Sequence, residues 1–224
     1  VLKLAVLVPP GRQHAGTVVV PDIGLPTDLL DAAAWVLDLA DLAVAPPAPQ
    51  AHKYRRGVVG VVAGSPEYPG AALLAVGGAR RSGAGMVAFR AVGGVGPAPD
   101  PVTALVVASG PDVVAAQRPV DAACVGPGLG SGPAAVAAVL TAMDDPAPLV
   151  LDASALTVLE RWEGRAALAR RRAGGRITVL TPHTGEFARL GLGPTSDPIA
   201  AASRAAVATG AVVVLKGPGT VVAD

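Results

Sequence analysis

Cysteine is almost absent from this chain. The single thiol, Cys124, excludes an internal disulfide and any cysteine-built zinc site. Histidine is nearly as scarce: His14, His52 and His183 lie far apart and match no metal-ligand spacing, so no metal-ligating residue is assigned. Charge of one sign is lacking too, with 18 basic against 17 acidic residues and a net charge of +1. That balance gives no electrostatic footprint for nucleic acid or a membrane surface, and neither is expected as a partner. No apolar run approaches ~18 residues, so no transmembrane helix is expected. No signal or transit peptide is visible, and a cytoplasmic protein is expected.

What is present is apolar and loop-rich. Hydrophobic residues make up 51% of the 224 positions and charged residues only 16%, which is enough for a sizeable core and too few charges for a disordered polyampholyte. The 28 glycines and 22 prolines fall in discrete loops rather than in a repeat. The chain opens at Val1 inside a strand-like run and closes just after Thr220-Val221-Val222. Neither end reads as a natural domain boundary, and the expectation is a fragment or a partly ordered chain.

Residues 1–26 read as short β segments, Leu4–Val8 and Thr17–Val20. Over 28–45, Leu29, Leu30, Ala33, Leu37 and Ala40 recur at near-helical spacing with aspartates between them, which predicts an amphipathic helix. Ala45-Pro46-Pro47-Ala48-Pro49 is a stiff extended linker and the expected domain boundary. From Lys53 a strand–helix rhythm sets in. Strands are expected at 58–63, 86–91, 122–125, 149–151, 177–180 and 211–215. Helices are expected at 70–81, 133–143, 153–161, 184–190 and 198–209. Near-continuous apolar strands alternating with helices imply an α/β fold with a mostly parallel central sheet and helices on both faces.

Ligands of such sheets bind beyond the carboxyl ends of the strands. Five loops should therefore share one edge: Gly64–Gly70, Gly126–Gly132, Asp152-Ala153-Ser154, Thr181–Glu186 and Lys216–Thr220. Together they supply bare backbone N–H groups, helix N-termini, a carboxylate, an imidazole and an ammonium, a set suited to phosphates. Each has two readings. The 126–132 loop, with four glycines in seven residues, admits a phosphate or ribose, or merely packs tightly. Asp152 works in a site or caps the next helix. His183 contacts substrate or is structural. Lys216 ends an apolar strand and needs an anion to face, which a nucleotide would supply. The run His52-Lys53-Tyr54-Arg55-Arg56 reads more simply as a solvated approach to a strand. No Gly-x-x-x-x-Gly-Lys-Ser/Thr, no Gly-x-Gly-x-x-Gly after a strand and no Gly-x-Ser-x-Gly occurs, which sets aside P-loop, ordinary dinucleotide-binding and α/β-hydrolase chemistry.

Five strings, HKYRRGVVGVVAGSPEYPGAALLAVGGARRSGAGMV (52–87), VGPGLGSG (125–132), LVLDASAL (149–156), LTPHTGEFARL (180–190) and VVVLKGPGTVV (212–222), resemble the ATP- or ADP-dependent NAD(P)H-hydrate dehydratases. The resemblance covers roughly residues 50–224 and implies a ribokinase-like fold. LKLAVLVPPGRQHAGTVVVPDIGLP (2–26) resembles the tail of the NAD(P)H-hydrate epimerase domain that bacterial bifunctional repair enzymes carry ahead of the dehydratase. The implied organisation is an epimerase remnant (1–26), a helix and linker (27–50), and a dehydratase domain (51–224) lacking its C-terminal part.

The resemblance implies a reaction as well. A nucleotide, ADP or ATP with Mg2+, phosphorylates the ring hydroxyl of (6S)-NADHX or (6S)-NADPHX; phosphate then leaves and NAD(P)H is restored. Ala71, Gly128 and His183 match family positions that contact the hydrate. Lys216, Gly217, Pro218, Gly219 and Thr220 match the segment that cradles the nucleotide phosphate. Asp152 matches a strand-end aspartate on the substrate side with polar or metal-linked positioning. Two departures stand out. The family's later Gly-x-Gly-Asp motif, with the expected general base, would lie beyond Asp224, so the catalytic base is unassigned and this piece is expected to be inactive. Asp152-Ala153-Ser154 also stands where the family often has Asp-Ala-Asp or Asp-Ala-Gly. A homo-oligomer is expected. Two rival readings are a ribokinase-like kinase of a hydroxylated vitamin precursor and a non-catalytic nucleotide-binding module.

Overall fold

A computed structural model describes residues 51–92, 100–110, 113–115 and 119–224, with isolated positions between 14 and 50. Eight strands form one sheet in the order β3-β2-β1-β4-β5-β6-β7-β8. They are β1 (Val58–Val62), β2 (Met86–Arg90), β3 (Val113–Ala115), β4 (Ala122–Val125), β5 (Leu149–Leu151), β6 (Thr178–Leu180), β7 (Val212–Leu215) and β8 (Val221–Ala223). The first seven run parallel, and β8 closes the edge antiparallel to β7. The helices are α1 (Pro69–Arg81), α2 (Pro101–Val107), α3 (Pro133–Asp144), α4 (Ser154–Val158), α5 (Trp162–Ala173), α6 (Thr184–Arg189) and α7 (Pro198–Thr209).

Register explains the layering. Val61 aligns with Cys124, Val150, Val179 and Val212 across the sheet, and side chains alternate between faces. On the face of Val61, Val87 and Phe89 pack under Ala72 and Val76 of α1 and Val102 and Val106 of α2. On the opposite face, Val125, Leu151, Leu180 and Val213 meet α3 to α7. Helices therefore cover both faces, as the apolar strands predict. The helix ends follow from local chemistry. Pro69, Pro101, Pro133 and Pro198 each open a helix, where their missing N–H is no loss. Gly210 closes α7 in the left-handed conformation.

Two expectations need correction. Ala34–Leu37, within the predicted 28–45 helix, carry no helix, and Trp35 is 83% exposed. With Trp35 and Leu37 both exposed, these four residues have no burial to stabilise a helix. The other readings made before residue 51, the β segments at 4–8 and 17–20 and the linker, lie outside the described residues except at isolated positions. The predicted helix 153–161 is the shorter α4, and it is followed by an unpredicted 12-residue helix, α5. The buried stripe of α5 is Gly164, Ala167, Leu168 and Arg171, so little in its sequence signals a core face. The short elements α2 and β3 were likewise not predicted.

Arg171 is the least expected core residue, at 1% exposure. Its guanidinium donates to the carbonyls of Met143 (3.2 Å), Asp145 (2.6 Å), Ala147 (2.7 Å) and Ile177 (3.0 Å) and to Thr178 Oγ1 (2.8 Å). These bonds tie the end of α3, the approach to β5 and the start of β6 to α5. No helix among the described residues is long and apolar enough to cross a membrane.

Candidate active site

The chain runs outward from β1 to β3 and then returns to place β4 on the other side of β1. Such a reversal opens a crevice beyond the carboxyl ends of the two strands at the switch. Here the loops after β1 and β4 meet: the Gly64 N–H donates to the Pro127 carbonyl at 2.8 Å. Gly128, at φ +67°, sits against the first turn of α1, and a Cβ there would collide with the Cβ of Ala71. Gly126 is packed so closely on the Asp152 carbonyl that it too has no room for a side chain. Of the two readings of the glycine loop, tight packing is therefore real at Gly126 and Gly128. At Gly130, with φ +76°, a Cβ would meet no neighbouring atom, so the glycine there answers to the turn rather than to close packing.

A cleft of about 410 Å³ lies beside this junction, lined by Glu67, Tyr68, Gly128, Gly130, Ser131, Ser154 and Thr157. The helices that begin around it, α1, α3 and α4, have Tyr68, Gly132 and Ala153 at their N-caps and no side-chain cap. The N–H groups of Ala71, Ala155 and Leu156 already donate to the Tyr68, Asp152 and Ala153 carbonyls, and Pro69 and Pro133 have none, which leaves those of Gly70, Ala134 and Ser154 for a ligand or water. Hydrogen bonding to and negative charge on the neighbouring Glu67 hold the Tyr68 hydroxyl above its ordinary pKa. Ala153, at φ 48° and ψ −119°, is the one non-glycine residue with positive φ among the described residues. Such strain costs roughly 1–3 kcal/mol, and here it turns the chain sharply from β5 into α4.

Next to the cleft a charged group spans β5, β6 and β7. Lys216 Nζ lies 2.6 Å from Asp152 Oδ1 and 3.9 Å from Glu186 Oε2. The Lys216 N–H donates to the Pro182 carbonyl at 2.8 Å, and a bridge joins Lys216 to His183. His183 is the N-cap of α6. Its Nδ1 accepts from the N–H groups of Gly185 (3.0 Å) and Glu186 (3.3 Å), and Glu186 Oε2 accepts from the His183 N–H (2.8 Å). With Nδ1 engaged as an acceptor, a neutral His183 carries its proton on Nε2, 3.6 Å from Glu186 Oε1. Cys124 lies on the same face as Asp152 by register. Burial and the Asp152 charge push its thiol up to about 11.

The sequence-predicted residues therefore fall into two adjoining groups on one edge: Ala71 with Gly128, and Asp152, His183 and Lys216 together. Gly217, Pro218, Gly219 and Thr220 follow Lys216 as an open loop, with Thr220 Oγ1 3.4 Å from the Gly217 carbonyl. Sequence reasoning passed over Glu186 and Tyr68. Glu186 is only 7% exposed and holds both His183 and Lys216. Its signal was the capping-box spacing, hidden because histidine is an unusual N-cap. Tyr68 stands at the cleft mouth, 49% exposed, just ahead of Pro69.

A family model described as NAD(P)H-hydrate dehydratase matches residues 59–224. The bifunctional NAD(P)H-hydrate repair enzyme Nnr of Mycobacterium tuberculosis is 42% identical over 217 residues, which cover 93% of this chain and 42% of that protein. The chain thus spans about two fifths of the length of that relative. Among solved structures, the ADP/ATP-dependent NAD(P)H-hydrate dehydratase from Bacillus subtilis, co-crystallised with ATP/Mg2+, is similar with a TM-score of 0.63 and 30% identity, covering 80% of this chain and 65% of that one. A ribokinase-like superfamily protein from Enterococcus faecalis shares the fold at a TM-score of 0.63 and 21% identity, covering 80% and 64%. The ribokinase-like sheet and the match across the whole strand–helix succession agree: the chain belongs to the NAD(P)H-hydrate dehydratase family.

Proposed function

We propose that the protein repairs hydrated nicotinamide nucleotides in the cytoplasm, converting (6S)-NADHX or (6S)-NADPHX to NADH or NADPH at the expense of ADP or ATP. In this reading the terminal phosphoryl group passes to the ring hydroxyl. The C–O bond to phosphate then breaks, helped by the ring nitrogen, and a proton leaves the neighbouring carbon. Hydroxide is a poor leaving group and phosphate a good one, so the detour lowers the barrier to dehydration. The observation that carries the reading is Lys216, held 2.6 Å from Asp152 at the end of an apolar strand, beside a glycine-lined cleft ringed by uncapped helix starts.

Each residue has a part. Ala71 and Gly128 bring α1 and the glycine loop so close that backbone, rather than side chain, faces the hydrate. His183 offers Nε2–H as a donor, its tautomer held by the backbone of α6. Lys216 supplies positive charge to the nucleotide phosphates, and Gly217, Pro218, Gly219 and Thr220 let them approach the backbone. Mg2+ fits as a cofactor because it uses one or two carboxylates along with phosphate oxygens, and Asp152 and Glu186 are the carboxylates beside Lys216; when bound, it would neutralise charge on the phosphoryl oxygens. The whole protein, as a bifunctional repair enzyme, would also epimerise NAD(P)HX and would assemble as a homo-oligomer. The exposed Leu74 and Leu105 on α1 and α2 offer apolar area for such assembly.

The test is conversion of NADHX by the full-length protein with ADP and ATP compared, followed by chromatography. NADH and inorganic phosphate appearing together support the reading. A stable phosphate ester would assign the site to a small-molecule kinase, and no turnover with either nucleotide would leave a binding module.

A further inference from the structure

A second cleft, of about 660 Å³, lies at the opposite edge of the sheet, below the amino ends of β1 and β2. Four chain segments build it: the turn at 51–56, the second half of α1, the α1–β2 turn, and Ser109 after α2. Its floor is tight, for a Cβ on Gly85 would strike the Lys53 carbonyl. Lys53, Arg56, Arg80 and Arg81 line it, and among the described residues no carboxylate does. None of these four takes part in an ion pair among the described residues, where the pairs involve Arg170, Arg189, His183 and Lys216. Asp121, at the foot of β4, directs Oδ2 to the Val58 N–H instead (2.7 Å).

The carboxyl end of α1 accounts for part of this charge, because helix C-termini favour cations. It accounts for Arg80 and Arg81 but not for Lys53 and Arg56, which come from a separate turn. Two of the guanidinium groups are aimed by the backbone: Arg56 donates to the Gly83 carbonyl (3.0 Å) and Arg80 to the Ser109 carbonyl (3.2 Å). Each keeps further N–H donors free for a ligand. On a protein with a net charge of only +1, four converging cations are a marked local asymmetry. A concavity of this volume suits a small ligand rather than a flat macromolecular contact.

We propose that this basic cleft is a binding site for a small polyphosphate-bearing molecule, distinct from the candidate active site and on the other edge of the sheet. The fork of guanidinium N–H groups matches phosphate oxygens, and Lys53 adds a compact charge. The proposal does not rest on the catalytic reading.

Inorganic tripolyphosphate is the probe, titrated calorimetrically into the full-length protein at low salt. Two charge-reversal pairs are compared, Arg80→Glu with Arg81→Glu, and Lys53→Glu with Arg56→Glu, alongside Lys216→Ala. All replaced side chains at the cleft are exposed, and circular dichroism confirms folding. Each pair is expected to weaken binding by about tenfold or more, with a shallower salt dependence, while Lys216→Ala leaves this binding in place. Unchanged affinity in a folded pair overturns the proposal. So does loss of the binding in Lys216→Ala alone, which would move the anion to the catalytic edge. A single-stranded oligonucleotide that binds through the same four cations more tightly than tripolyphosphate would also overturn it, by assigning the cleft to nucleic acid.

Discussion

Lys216 shows how a residue at a strand end reveals its environment. A lysine after the apolar run Val212–Leu215 needs an anion, and in the fold it has found Asp152 and Glu186. Lys216→Ala in the full-length protein should weaken the nucleotide more than the hydrate; equal losses of both in calorimetry would remove Lys216 from the phosphate site. Ala153 makes a different prediction. Replacing it with glycine should relieve the positive-φ strain and stabilise the fold by about 1 kcal/mol, read as a higher urea midpoint. Cys124 gives a pH dependence. Its thiol, raised from 9.0 to about 11, binds its proton more tightly folded than unfolded. Its contribution to stability is therefore intact below pH 9.0 and is lost as pH climbs towards 11. Urea midpoints should fall over that window in the wild type and stay flatter in Cys124→Ala. Asp152, His183 and Lys216 were legible in the sequence because strand ends mark the ligand edge of a parallel sheet. Glu186 was not, because its role passes through a backbone cap that only coordinates display.

At the scale of elements, long apolar strands and proline-started helices could be read directly, since burial on both faces and the N1 preference of proline leave clear patterns. Helix α5 could not. Its core contact is an arginine flanked by alanines and a glycine, and hydrophobic periodicity has no way to mark an inward-facing guanidinium. Arg171→Met should cost about 3 kcal/mol or more in chemical denaturation, because it breaks five hydrogen bonds, two of them fully buried, to the Met143 carbonyl and Thr178 Oγ1. A loss under about 1 kcal/mol would mean that water replaces the guanidinium there. Ala34–Leu37 are the converse case: they fall in a stretch of good helical periodicity, yet they carry no helix and leave Trp35 and Leu37 exposed.

Among the described residues the strands form a single sheet assembled out of sequence order, with β1 and β4 at its seam. Amide exchange should be slowest at that seam, where strands have neighbours on both sides, and fastest at the outer strands β3 and β8. Equal protection from edge to edge would contradict the layering described above. The ion pair beyond β5 and β7 joins parts of the chain made at different times. Asp152 and Lys216 are 64 residues apart along the chain. As the polypeptide emerges from the ribosome, the aspartate and Glu186 arrive at their edge well before the ammonium that answers them. A nascent chain halted between the two would hold an acidic rim with no counter-charge, and delivery of the seventh strand is the step that brings the neutralising ammonium to that rim.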